Sequence, residues 1–333
     1  MRVVPGAAGG PKGLVLGPLD RFIFGDWLGQ TTHEVHLVGA SIGAWRMATA
    51  CLNDPVAALA QLEHDYIREQ YDPPPGKKRP SAAHVSARFG QSLQNFYGGR
   101  IDQVLMHPRY KLHVVTSRGR HLLGREHGLR TPLGYLGAFL TNSLHRQAMG
   151  AWLERVVFSS QGAALPFATA DYRTRQVQLT EANFNPALQA SCSIPFVLQA
   201  VHNIPGAPPG AYWDGGITDY HLHLNYPAQT AGGIVLYPHF QQAVVPGWLD
   251  KSLKWRHRAT PYLNNMVVLA PNPAWVNTLP NAKLPDRTDF MRYGTDLQGR
   301  VKAWCSAVAA SQQLAEEWAQ WLHQPDPNRV EPL

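Results

Sequence analysis

The sequence predicts an α/β protein built as a layered sheet. Two observations carry this reading. Short apolar runs of strand length alternate with longer stretches whose apolar residues recur at helical spacing. The first two runs pass directly into glycine-rich turns, and a helix pattern follows the second, as expected where a sheet strand hands over to a covering helix. No shift in composition divides the 333 residues, so one domain is expected.

Residues 2–5 form the first expected strand and run into GAAGGPKG. Residues 35–38 form the second and end in Gly39-Ala40-Ser41-Ile42-Gly43, after which AWRMATACL reads as a buried helix. Asp54 is placed to cap the next helix, with Pro55 at its first position and the amphipathic pattern reaching about residue 70. Residues 71–80, YDPPPGKKRP, hold four prolines, a glycine and three consecutive cations, and read as a surface linker. A helix over about residues 81–97 follows, then a strand at 111–118 and a helix-like stretch at 131–153. Strands are expected at 155–160, 166–170 and 176–179, a helix near 186–191, and strands at 211–214, 233–237 and 266–270. A last long helix over about 296–323 repeats Trp304, Val308, Leu314, Trp318 and Leu322, and the Pro-rich tail after Gln324 reads as frayed.

Composition narrows the function classes. Apolar residues are 44% of the chain and charged residues 16%, against about 25% charged in an average globular domain, which excludes a disordered chain. The net charge of +7 suits anionic partners such as membrane surfaces. No recognised nucleic-acid motif accompanies the brief basic clusters, so no nucleic-acid partner is expected. Cys51, Cys192 and Cys305 are odd in number and widely spaced, which favours a reducing, cytoplasmic setting over a disulfide framework. The N-terminus lacks the apolar segment of a signal peptide, and no run of 18 apolar residues occurs. The expected location is therefore cytoplasmic, with room for peripheral contact with membranes.

Three motifs carry chemistry. Gly39-x-Ser41-x-Gly43 between strand and helix is the arrangement of a nucleophile elbow, in which a tight turn lifts the serine hydroxyl clear of the sheet at a helix N-terminus. Gly9-Gly10-Pro11-Lys12-Gly13 follows the first strand, and such a run lets backbone N–H groups point into a cavity. It lacks the Walker spacing and the full dinucleotide fingerprint, so no nucleotide cofactor is expected. Tyr212-Trp213-Asp214-Gly215-Gly216 ends an apolar stretch in an acid and two glycines, which taken alone reads as a turn.

In the order GGPKG, GASIG, Ser193-Ile194-Pro195 and DGG, the chain resembles the patatin-like phospholipase family over roughly residues 3–229. The resemblance implies an α/β/α fold with a central, mostly parallel sheet flanked by helices, and a C-terminal extension over about 230–333 packed on the same core. It implies a serine hydrolase acting on lipid carboxylic esters, with Ser41 as nucleophile and Asp214 as general base. Gly9 and Gly10 would form the oxyanion hole. Lys12, Gly13, Gly39, Gly43, Gly215 and Gly216 would support loop and elbow, with no metal and no cofactor. Two departures stand out: Ala8 replaces the first of three family glycines, and Ile217-Thr218-Asp219 follows DGG where the family has Asn and Pro. The stretch PFATADYRTRQ resembles the family's strand–turn–strand.

Rival readings use other residues. A Ser–His–Asp triad would need one of His221, His223, His239, His257 or His323. A metal site could use His221 and His223 on one strand face with Asp219, whereas His33-Glu34-Val35-His36 has the wrong spacing for a zinc protease. A catalytically silent lipid-binding protein could occupy the same fold. Residues 246–263, PGWLDKSLKWRHRATPYL, interleave Lys251, Lys254, Arg256 and Arg258 with Trp248, Leu249, Leu253 and Trp255, the composition of a contact with an anionic membrane surface.

Overall fold

In the computed structural model, which describes residues 1–71, 77, 80–226 and 233–333, nine strands join in one sheet: β1 Val3–Gly6, β2 Val35–Ala40, β3 Tyr110–Gly119, β4 Leu153–Ser159, β5 Thr174–Gln178, β6 Val201–His202, β7 Ala211–Asp214, β8 Val235–Pro238 and β9 Met266–Leu269. The order β5-β4-β3-β2-β1-β8-β9 is parallel from β3 through β9, while β4 runs antiparallel to β3. Every residue of β1, β2 and β4 is buried. Burial of whole strands is what a parallel sheet covered on both faces demands.

Alternation along the strands divides the core in two. Leu37, Val114 and Val156 face one layer, where Trp45, Leu59, Phe89, Leu93 and Phe184 bring in the helices Ile42–Thr49, Pro55–Arg68, Ala82–Tyr97 and Glu181–Cys192. Val38, Val115 and Val157 face the other, where Tyr220, Leu224, Tyr237 and Phe240 pack with Leu284 and Ala307 from the C-terminal part. The fold is the α/β/α one implied above, a mostly parallel sheet flanked by helices.

Several elements differ from expectation, each for a local reason. Asp54 caps its helix through Ala57 N–H as expected, and Ser81 caps the next one through His84 N–H. The linker at 71–80 falls largely outside the described residues. The helix expected over 131–153 stops at Leu144, and after a short turn at Arg146–Ala151 the chain enters β4, because pairing Leu153 with Gly119 of β3 overrides helical periodicity. Residues 166–170 form no strand: Pro166 has no N–H to give, and Ala168 makes a single bridge to Asn225. Only β5 survives of the strand–turn–strand. The helix at Glu181–Cys192 starts five residues before Pro186, nucleated by a capping box between Thr180 and Asn183. The last helix breaks at Ser311 into Leu297–Ala310 and Gln312–His323, where the Ser311 hydroxyl bonds back to the Val308 carbonyl.

Candidate active site

The site is built where two strands meet end to end. β2 and β7 share one edge of β3 and run toward each other along it: β2 ends with Ala40 opposite Val115, and β7 ends with Asp214 opposite Thr116. The next residue after Ala40 is Ser41. Adjacent register on a common neighbour thus brings together two residues 173 positions apart, and Ser41 Oγ donates to Asp214 Oδ2 at 2.8 Å.

Ser41 holds φ 56° and ψ −132°, a conformation rare outside glycine and costly enough to require support. The support is steric and polar. A Cβ on Gly39 would stand 2.3 Å from the Ala44 Cα, and one on Gly43 would stand 1.9 Å from the Gly6 carbonyl oxygen, so both flanking positions exclude any side chain. The Ser41 N–H donates to Ser191 Oγ at 2.9 Å, and that hydroxyl donates to the Val115 carbonyl at 2.7 Å. Arg46, one turn into the helix that follows, is locked to buried Asp20 by two bonds of 2.6 and 2.7 Å.

Asp214 is buried, and its second oxygen, Oδ1, accepts the Gly216 N–H at 2.7 Å. Burial raises its pKa above the ordinary aspartate value, while the Arg287 guanidinium and the Ser41 and Gly216 hydrogen bonds pull the other way without cancelling it. The Cys192 thiol stands against Ser41 and Asp214, and burial pushes its pKa up.

The glycine loop passes over this pair. Ala8 N–H is spent on the Tyr220 carbonyl at 2.9 Å. Gly9 and Gly10 N–H have no hydrogen-bond partner among the described residues. Gly10 takes φ 56° and opens a short helical turn, Gly10–Leu16, with Pro11 at its start. Gly13 lies against Ile42 and Arg46 of the elbow helix. Lys12 sits 5.5 Å from the Phe240 ring centre, and burial lowers its pKa.

A cavity of about 200 Å³ opens over Ser41 and Asp214, walled by Ala8, Gly9, Ile194, Pro195 and Gly216 among others. Sequence reasoning missed a large part of its wall. Lys251 and Arg287 join Lys12 around the cavity, with Asp286, Trp248 and Tyr220. Lys251 lies 4.1 Å from the Tyr220 ring centre, and burial, with the charges of Lys12 and Arg287, pushes its pKa down to about 8. Lys251 stands out in the sequence only as part of a membrane-facing segment and Arg287 not at all; tertiary structure brings both to the cavity. Ser191, the last residue but one of its helix, gave no signal either.

The rival arrangements are not assembled among the described residues. His221 is bonded to Val245 N–H and lies near the Ala243 carbonyl, and His223 contacts Val244 and Thr260, in a loop with Leu222 at φ 47° and not on a strand. His239 contacts Gln241 and His257 contacts the Asp250 carbonyl, and none of these four, nor exposed His323, lines the cavity. Asp219 is bonded bidentately to Arg155, not to histidine. His36 pairs with His113 inside the sheet. In residues 246–263, Trp248 turns to the cavity wall and Leu253 is buried, whereas Trp255 is exposed. Arg256 is held by Asp250, leaving Lys254 and Arg258 outermost. No helix among the described residues is long and apolar enough to cross a membrane.

Fold and geometry together define an α/β protein that presents a serine on a strand-to-helix turn against a buried carboxylate. The model of the patatin-like phospholipase family matches residues 33–231, more than half the chain, and the protein belongs to that family of lipid acyl hydrolases. The match includes Ser41 and Asp214 but not the glycine loop, Lys251 or Arg287. Among solved structures, the chain is similar to VipD from Legionella pneumophila, at 12% identity and a TM-score of 0.39, covering 95% of this chain and 67% of that one. No curated protein matches the chain.

Proposed function

We propose that the protein hydrolyses carboxylic esters of lipids, with Ser41 as nucleophile and Asp214 as its base. The observation that carries the reading is the 2.8 Å hydrogen bond between Ser41 Oγ and Asp214 Oδ2 on a strained turn. Ser41 Oγ attacks the ester carbonyl carbon as its proton passes to Asp214 Oδ2. The oxyanion that forms is met by Gly9 and Gly10 N–H, each worth about 3–4 kcal/mol in comparable sites. Collapse of the adduct breaks the ester C–O bond, and Asp214 returns the proton to the leaving alcohol. Asp214 then takes a proton from a water that attacks the acyl-enzyme, releasing the acid and regenerating Ser41. A raised Asp214 pKa makes it a better base for both steps.

Lys12, Lys251 and Arg287 around the cavity favour an ester whose neighbouring group is anionic. Three free cysteines support a cytoplasmic protein, and Lys254, Trp255 and Arg258 support peripheral contact with anionic membranes. The test is Ser41→Ala with a short-chain nitrophenyl ester. Turnover should fall on the order of 10⁶-fold. Turnover near that of the wild type would remove Ser41 as the nucleophile, and a wild-type protein that a fluorophosphonate fails to label would assign the chain to the silent lipid binders.

A further inference from the structure

The helix Arg130–Leu144 has no charged side chain after its first residue: its sequence from Thr131 is TPLGYLGAFLTNSL. Thr131, Gly134, Tyr135, Ala138 and Asn142 form its buried face, and the Tyr135 ring packs on Trp213, next in sequence to Asp214. The outer face is leucine. Leu133, Leu136, Leu140 and Leu144 are 60%, 54%, 54% and 86% exposed, and Leu129 just before the first turn is 74% exposed. A surface helix ordinarily turns charge to water; this one turns a row of leucines one helical turn apart.

An apolar row alone does not name what covers it. Its surroundings do. Tyr135 reaches Phe196 with ring centres 6.0 Å apart, and exposed Phe196 and Val197 follow Ile194 and Pro195 of the cavity wall. On the other flank, Arg256 donates to the Asn142 carbonyl at 2.6 Å and to Asn142 Oδ1 at 3.1 Å, which fixes exposed Trp255, with Lys254 and Arg258, beside the helix. Exposed Arg130 is the first residue of the helix. Leucines bordered by cations and a tryptophan, and joined through Tyr135 and Phe196 to the segment that walls the cavity, complement a negatively charged lipid surface better than a protein groove.

We propose that the leucine face of this helix enters an anionic lipid bilayer, with Phe196 and Trp255 flanking it, so that the cavity opens onto the membrane. The inference rests on the lipid-ester reading of the site. The test uses the full chain and vesicles of phosphatidylcholine mixed with phosphatidylglycerol. The triple variant Leu133→Ser, Leu136→Ser, Leu140→Ser should lose about 1000-fold in vesicle partition, since each buried leucine is worth on the order of tenfold. Its melting temperature and its turnover of a soluble short-chain ester should match the wild type, because none of the three side chains lines the cavity. A Leu136→Trp variant should show blue-shifted emission when vesicles are added. Equal partition by triple variant and wild type overturns the proposal. So does a wild type that ignores vesicles, an unshifted reporter, or a dimer that the triple variant dissolves, which would assign the face to a second copy. Loss of vesicle binding in the triple variant alongside full ester turnover by Ser41→Ala would leave the docking surface standing and remove the proposed chemistry instead.

Discussion

Asp214 carries opposing demands. Burial makes its carboxylate costly, yet the proposed chemistry needs that carboxylate. Because its folded pKa lies above the unfolded value of about 3.9, ionising it favours the unfolded chain. Its contribution to stability is fully present below that unfolded value and is lost as pH rises through the folded one. Asp214→Asn should therefore melt higher than wild type near neutral pH, while ester turnover falls nearly as far as with Ser41→Ala. A melting curve and a rate measurement on one sample check both halves. The same shift displaces the acidic limb of the kcat/KM profile above an ordinary aspartate's pKa. Arg287 restrains that shift, so Arg287→Gln should move the limb upward. An unmoved limb would mean that another group sets it.

Among the elements, β4 and the turn after β7 are joined by one buried cation. Arg155, fully buried, donates to Asp219 at 2.7 and 2.6 Å and to Asp171 at 3.2 and 3.0 Å. Burial alone would push the Asp219 pKa up, but the Arg155 guanidinium outweighs it and holds the carboxyl below the ordinary value. The stability this pair supplies is present above the unfolded aspartate pKa of about 3.9 and is lost as pH falls through the lower folded value. Arg155→Met strands Asp219 in the core and should cost about 3–5 kcal/mol in denaturant unfolding. Ser191→Ala should cost less, about 1–3 kcal/mol, by leaving the Ser41 N–H unpaired, and should lower kcat more than it raises KM. A wild-type kcat in that variant would show that the elbow holds its shape without the bond.

Across the whole molecule, the parts legible in the sequence were those governed by local rules. The strands at 35–38 and 211–214 followed from apolar runs bounded by glycine, the first running on to Ala40, and Asp54 announced its helix through capping chemistry. Ser41, Asp214 and the glycine loop were legible because tight backbone geometry leaves glycine in its wake. The cation ring was not, since Lys251 and Arg287 reach the cavity through packing that no periodicity encodes. Breaks at His145 and Ser311 were hidden for a related reason: apolar spacing ran on while a strand pairing or a hydroxyl bond ended the helix. With Lys251 pushed down to about 8, one of the three cations fades in alkaline solution. KM for an anionic ester should then climb above pH about 8, and Lys251→Met should flatten that rise. A KM that tracks pH equally in both proteins would remove Lys251 from substrate binding.

The end-to-end meeting of β2 and β7 on β3 also sets a timetable. As the chain is made, Ser41 precedes by 173 residues the carboxylate proposed to activate it. Until β3 has formed and β7 has come back to occupy the vacant half of its edge, the serine has no base and the cavity has no floor. On the proposed chemistry, a product ending before residue 211 would carry the serine without its base and would be inert.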